Sequence, residues 1–257
     1  MKNILVVDDS ALMRRVLCDI IDSDERFHVQ DRAVNGLEAL DLLTRKTYDA
    51  VVLDVNMPKM NGLELLKELQ KRKISVRVMM ASTDTMEGAK TTLDALELGA
   101  LDFIHKPNNA MECRDDSFRQ KMLKILAVGA ESKAPTFGRA FSLEEIKTSK
   151  KMVELVSRHA SAVSGNKVVA LASSTGGPKA LQAVIPRLPK NLKAPVVVVQ
   201  HMPAGFTASL AERLNTLSEV RVKEAAEGDI LEAGTVYIAM GGKHLNVVTM
   251  AGKYSIH

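Results

Sequence analysis

Three acids stand where β-strands should end. Asp8 and Asp9 directly follow the β-branched run Asn3 to Val7, and Asp54 follows the run Ala50 to Leu53. In an open parallel sheet, ligands bind in the crevice outside the carboxyl ends of the strands, where the strand order reverses. Three carboxylates in one such crevice repel, which raises their pKa values unless a cation joins them. Hard oxygen donors suit Mg2+, which keeps positions open for water and phosphate oxygens. Ser82 and Lys106, placed after two further strand-like runs, reach the same crevice. A carboxylate nucleophile, a divalent cation, an ammonium group and a hydroxyl together suit capture of a phosphoryl group on an aspartate.

A second constellation lies far downstream. Ser173-Ser174-Thr175-Gly176-Gly177 stands between an apolar run and a helix opened by Pro178, a residue favoured at the first helical position. The turn presents a hydroxyl, the glycines permit close backbone approach, and the helix start offers free N–H groups to a developing negative charge. His201 follows the next strand, Val196 to Val199, so adjacent parallel strands bring it within reach of Ser174. A neutral imidazole there can take the serine proton during attack on an acyl carbon. Taken alone, such a turn is more often a phosphate-binding or structural loop.

The elements that must position these groups follow from periodicity. Strands are expected at Asn3 to Val7, His28 to Val34, Ala50 to Leu53, Val76 to Ala81 and Asp102 to Ile104. Helices fall between them near Ala11 to Ser23, Gly36 to Thr44, Gly62 to Lys71 and Glu87 to Leu98, with a fifth near Arg114 to Ala127. Strands alternating with helices imply a parallel sheet covered on both faces. Ser, Lys and Glu then accumulate in a linker, residues 127–165, with a short amphipathic helix expected at Leu143 to Arg158. A second α/β pattern follows. Its strands are expected at Lys167 to Ala172, Val196 to Val199, Val220 to Glu224, Thr235 to Ala239 and His244 to Val248, and its helices at Pro178 to Ile185 and Phe206 to Leu217.

Composition narrows the function classes. The 257 residues are 46% hydrophobic and 26% charged, as in an ordinary globular protein of two modest domains. No apolar run suits a membrane span, and the acids at the start of the chain disagree with a signal peptide, so a cytoplasmic protein without membrane insertion is expected. Cys18 and Cys113 lack the spacing of a zinc site or a disulfide framework. The net charge of +4 is uneven: residues 1–126 hold 19 Lys and Arg against 21 acids, and the rest hold 16 against 10. With no Trp and no helix-turn-helix after the first domain, nucleic acid is not an expected partner.

Singly, each acidic-pocket residue has a plain reading. A lone Asp after a strand is most often a helix N-cap, Ser82 a cap, Lys106 a surface charge and Phe103 a core aromatic. Their joint spacing changes that. Asp8-Asp9, Asp54 with Met57-Pro58 and Gly62, Ser82, and Lys106-Pro107 resemble the receiver domain of bacterial two-component response regulators, over about residues 1–126. The resemblance implies a flavodoxin-like five-stranded parallel domain. In it Asp54 accepts phosphate from a histidine kinase, and Asp8, Asp9, Asp54 and the backbone carbonyl of Asn56 hold Mg2+. Lys106 pairs with the phosphoryl group, Ser82 follows it, Phe103 takes the position of an aromatic switch, and the Lys106-Pro107 bond is cis.

The second half carries a resemblance of its own. Val168 to Pro178, then Gln200-His201-Met202-Pro203-Ala204-Gly205-Phe206-Thr207, Gly228-Asp229, Tyr237-Ile238-Ala239 and Gly242-Lys243-His244-Leu245 resemble the catalytic domain of the chemotaxis protein-glutamate methylesterase (CheB) family. This implies a doubly wound α/β esterase domain at 166–257 that needs no cofactor. Ser174 is then the nucleophile, His201 the general base, and Thr175 a neighbour of the oxyanion site. The implied substrates are glutamyl methyl esters, and certain glutamines, of methyl-accepting chemoreceptors. The family completes its triad with an aspartate in a Gly-Met-Gly-x-Asp-Gly segment, and nothing after His201 reads as that segment. The domain is therefore expected to be incomplete and its hydrolysis impaired; the alternative is a phospho-dependent docking module without hydrolysis.

Overall fold

The computed structural model describes residues 1–83, 86–106, 115–132, 167–250 and 252–257. The first domain is a five-stranded parallel sheet of β1 (Lys2–Val7), β2 (Phe27–Ala33), β3 (Ala50–Asp54), β4 (Val78–Thr83) and β5 (Asp102–Lys106), in the order β2-β1-β3-β4-β5. That order is the flavodoxin-like one, with its reversal between β1 and β3. Alternation along β1 sets the two faces. Ile4 and Val6 join a core with Leu17, Ile21 and Met122, whereas Leu5 and Val7 join another with Leu40, Leu66 and Leu96. Helices α1 (Ala11–Asp22) and α5 (Asp116–Glu131) cover the first face; α2 (Gly36–Arg45), α3 (Gly62–Lys71) and α4 (Met86–Glu97) cover the second.

Helix starts are set locally. Ser10 caps α1 by accepting from the Met13 N–H, and Asn35 caps α2 by accepting from the Glu38 N–H. Asn61 and Glu64 form a reciprocal capping box at α3, satisfying two otherwise unpaired N–H groups. Gly62 has a steric reason as well: a Cβ there would lie 2.4 Å from the carbonyl oxygen of Asp54.

The second domain is a four-stranded parallel sheet of β6 (Val169–Ser173), β7 (Val196–Gln200), β8 (Arg221–Glu224) and β9 (Thr235–Ile238), ordered β6-β7-β9-β8. Helices α6 (Gly177–Val184) and α7 (Phe206–Leu217) pack on one face, where Val196, Val198, Val236 and Ile238 meet Leu181, Leu210 and Leu214. On the other face an antiparallel hairpin, β10 (Val247–Met250) with β11 (Lys253–Ile256), sets Ile256 against Tyr237, while Val199 stays 49% exposed. This hairpin corrects the strand expected at His244 to Val248. The strand starts at Val247 and turns back through Gly252 at φ 75° into a strand that periodicity did not reveal. Lys253–Ile256 holds one β-branched residue, Ile256, and is a strand by virtue of its antiparallel pairing with β10. The linker helix expected at Leu143 to Arg158, Cys113 and the Lys106-Pro107 bond lie outside the described residues.

The two domains share a hydrophobic cluster. Phe103 of β5 stacks on Phe206 at the start of α7, with ring centroids 5.1 Å apart and planes 5° from parallel. Arg213 of α7 pairs with Glu97, and lies 3.7 Å from Asp94, both on α4. Among the described residues, no helix is long and apolar enough to cross a membrane.

Candidate functional site

The acidic crevice forms at the carboxyl ends of β1 and β3. Carboxylate oxygens of Asp8, Asp9 and Asp54 all lie within 4.8 Å of one another, with Asp8 fully buried and Asp54 7% exposed. Lys106, at the end of β5 and 5% exposed, reaches across with Nζ 2.7 Å from Asp54 and 3.0 Å from Asp8. Burial pushes the Asp54 carboxyl up; Lys106 pulls it back and Asp8 pushes the same way as burial, leaving it raised. Burial works to lower the Lys106 ammonium, but the two carboxylates outweigh it and hold it raised. Two buried carboxylates against one ammonium leave excess negative charge, and three converging oxygen donors are the set that a hard divalent cation prefers. The expected ligands thus fit the cation chemically. Ser82 is buried on β4, one residue beyond Ala81, which lies in register with Asp54. Asn56 is exposed just after β3.

The second site forms at the carboxyl ends of β6 and β7. Ser173 lies in register with Gln200, and the His201 N–H donates to the Ser173 carbonyl at 3.1 Å. Ser174 and His201 therefore emerge side by side from neighbouring parallel strands, both exposed, followed by Thr175. Gly176 adopts φ 73°, the left-handed conformation that lets the chain turn into α6 without steric cost. Among the described residues, Ser174 Oγ and the His201 ring make no direct hydrogen bond. Asp229 is engaged elsewhere, by Lys223 at 2.7 Å and the Ala226 N–H at 2.9 Å.

Two residues at this site carried no assigned role in the sequence. Asp102 of β5 is 6% exposed and accepts a hydrogen bond from the Gly176 N–H at 3.0 Å, which sets a first-domain carboxylate at the head of α6. Burial raises its pKa, while N–H groups of Phe103 and Gly176 and the charge of His201 oppose the rise. Gln200 is 5% exposed and bridges the Ser174 and His201 segments. Its place directly before His201 was the only available signal; for Asp102 there was none.

Comparison with known proteins finds two families along the chain. The response regulator receiver domain family matches residues 4–116, and the CheB methylesterase family matches residues 169–257. A protein-glutamate methylesterase/protein-glutamine glutaminase of Pyrococcus horikoshii is 44% identical over 97% of this chain and 66% of its own length. One of Bacillus licheniformis is 42% identical over 100% of this chain and 71% of its own. The chain thus spans about two thirds of the length of these relatives. The crystal structure of the response regulator domain of Thermotoga maritima CheB aligns with a TM-score of 0.46 at 40% identity, over 52% of this chain and 98% of that one. Two family matches in this order, and an identity above 40% across essentially the whole chain, show that it belongs to the receiver-headed CheB methylesterase family.

Proposed function

We propose that this chain is a phosphorylation-regulated protein-glutamate methylesterase, and glutamine deamidase, acting on methyl-accepting chemoreceptors in bacterial chemotaxis. The receiver comprises the expected residues 1–126 together with the end of α5, to Glu131, whose Ala130 packs in the receiver core; the esterase comprises residues 166–257, and a linker joins them. Ser174 Oγ attacks the ester carbonyl carbon while His201 takes its proton. The proton passes to the departing methoxide, methanol leaves, and a glutamyl ester remains on Ser174. Water then attacks with His201 as base again, releasing glutamate; with a glutamine substrate the same attack expels ammonia. The Thr175 N–H, joined by the Gly176 N–H once Asp102 leaves it, faces the developing oxyanion.

The observation that carries this reading is the contact between the domains at the serine turn: Asp102 on the Gly176 N–H and Phe103 on Phe206. A receiver seated there holds the turn that carries Ser174, which gives phosphorylation something to release. A histidine kinase transfers phosphate to Asp54. Asp8, Asp9, Asp54 and the Asn56 carbonyl would hold Mg2+, which would supply positive charge against the phosphoryl oxygens. Lys106 pairs with the phosphoryl group, and Ser82 follows it. Phe103 lies on β5 beside β4, opposite Met80, so a shift at Ser82 reaches the aromatic stack. The reaction belongs on the cytoplasmic side, where the receptor's methylated helices lie.

The test is covalent labelling of Ser174 by a fluorophosphonate, together with methanol release from methylated receptors. Both should vanish in Ser174→Ala, and phosphorylation should accelerate both in the unaltered chain. Methanol release by Ser174→Ala at the unaltered rate refutes the assignment. One observation favours a second reading, a phospho-dependent docking module: among the described residues, the His201 ring has no hydrogen-bonded carboxylate to fix its tautomer. Mg2+-dependent phosphorylation of Asp54 without labelling or hydrolysis would establish that reading.

A further inference from the structure

We infer that Gln200 is a positioning residue that sets the geometry between Ser174 and His201, an inference that rests on the serine-hydrolase reading above. A primary amide offers one acceptor and two donors, and here all are used between the two catalytic segments. Oε1 accepts from the Ser173 hydroxyl at 2.6 Å, and Nε2 donates to the Ser174 carbonyl at 3.0 Å and to the His201 carbonyl at 3.2 Å. The side chain is 5% exposed, so water cannot readily replace these bonds.

The consequence for chemistry lies in one peptide plane. The Ser174 carbonyl accepts twice, from Gln200 Nε2 and from the Gly177 N–H at 2.7 Å. In a trans peptide the C=O and the next N–H point in opposite directions. Holding the Ser174 carbonyl inward therefore turns the Thr175 N–H away from Gln200, toward the mouth of the site. Gln200 thus fixes both the spacing of nucleophile and base and the direction of a candidate oxyanion donor. Gly177 belongs to the same device: a Cβ there would lie 1.9 Å from Gln200 Oε1 and 2.9 Å from the Ser173 Cβ, so only glycine leaves room for the amide.

Two variants separate the donors from the acceptor. Gln200→Met removes every bond at similar size. Ser173→Ala removes only the Ser173 bond and leaves both Nε2 donors in place. In the full chain, the maximal rate of Ser174 labelling by a fluorophosphonate should fall about 100-fold in Gln200→Met, with its half-saturating concentration unchanged, as expected for misplacement of about 1 Å. Ser173→Ala, which keeps both Nε2 donors, should fall at least tenfold less than Gln200→Met. Amide hydrogen exchange supplies a readout independent of chemistry: the Gly177 and His201 N–H groups should exchange at least tenfold faster in Gln200→Met, at unchanged exchange of the β7 core. Labelling and exchange both within threefold of the unaltered chain overturn the inference. If the unaltered chain is not labelled at all, the hydrolase reading fails first, and unchanged exchange then removes the positioning role as well. Should Gln200→Met not fold, Gln200→Glu keeps the shape and loses both donors, and the same two measurements apply.

Discussion

Removing the Asp102 side chain should unseat the receiver from the serine turn. Asp102 Oδ2 accepts from the Gly176 N–H at 3.0 Å, across an interface that also contains the Phe103–Phe206 stack and the Arg213 pairs. A hydrogen bond to a charged group contributes about 1.5–3 kcal/mol. Burial of the carboxylate offsets part of that, as its raised pKa shows, so Asp102→Ala should cost the contact about 1–2 kcal/mol. That corresponds to about 5–30-fold in the open population, read as faster hydrogen exchange of the Gly176 amide. Asp102→Asn keeps an acceptor without a buried charge and should exchange no faster than the unaltered chain. The sign with pH follows. A carboxyl raised in the folded chain favours the folded state below the ordinary aspartate pKa of about 3.9, and that contribution to stability is lost as pH rises through the raised value. Asp102→Asn should flatten the dependence over that window. Equal exchange rates in the Ala and Asn variants would refute the reasoning, because an acceptor at this position would then contribute nothing to the contact.

Lys106→Met should destabilise the receiver by about 3–5 kcal/mol, since it leaves Asp8 and Asp54 buried without the ammonium 3.0 and 2.7 Å away. Urea midpoints should drop accordingly and recover partly with added Mg2+; an unchanged midpoint in EDTA speaks against a buried charge cluster. At the surface, Asp24 is held down to about 2, first by the side-chain hydrogen bonds of Arg26 and then by its backbone N–H. Its stabilising contribution is present above about pH 4 and fades as pH falls toward 2. Arg26→Ala should return the Asp24 carboxyl signal to the ordinary range in a carbon-13 NMR titration and flatten that part of the acid limb; an unmoved titration contradicts it.

Both parallel sheets were readable because most of their strands carry short apolar runs that alternate with stretches of helical periodicity. The acidic crevice was readable too: Asp8, Asp54 and Lys106 each follow a strand, and a sheet gathers its strand ends on one rim. The same argument placed Ser174 beside His201. The β11 strand was not readable, for Lys253–Ile256 has no β-branched apolar run and takes its strand form from pairing with β10.

Asp102 on Gly176, Phe103 on Phe206 and Arg213 between Asp94 and Glu97 belong to another category. Local pattern states which residue ends a strand or caps a helix, because those outcomes depend on neighbours within a few positions. Which face of one domain meets which face of another depends on the complementarity of two finished surfaces, and residues 74 positions apart in the Gly176–Asp102 bond share no local signal. Gln200 stands between the two cases. Its identity and place beside His201 were in plain view, but an amide becomes a brace only when folding brings three partners around it and excludes the water that would otherwise satisfy it.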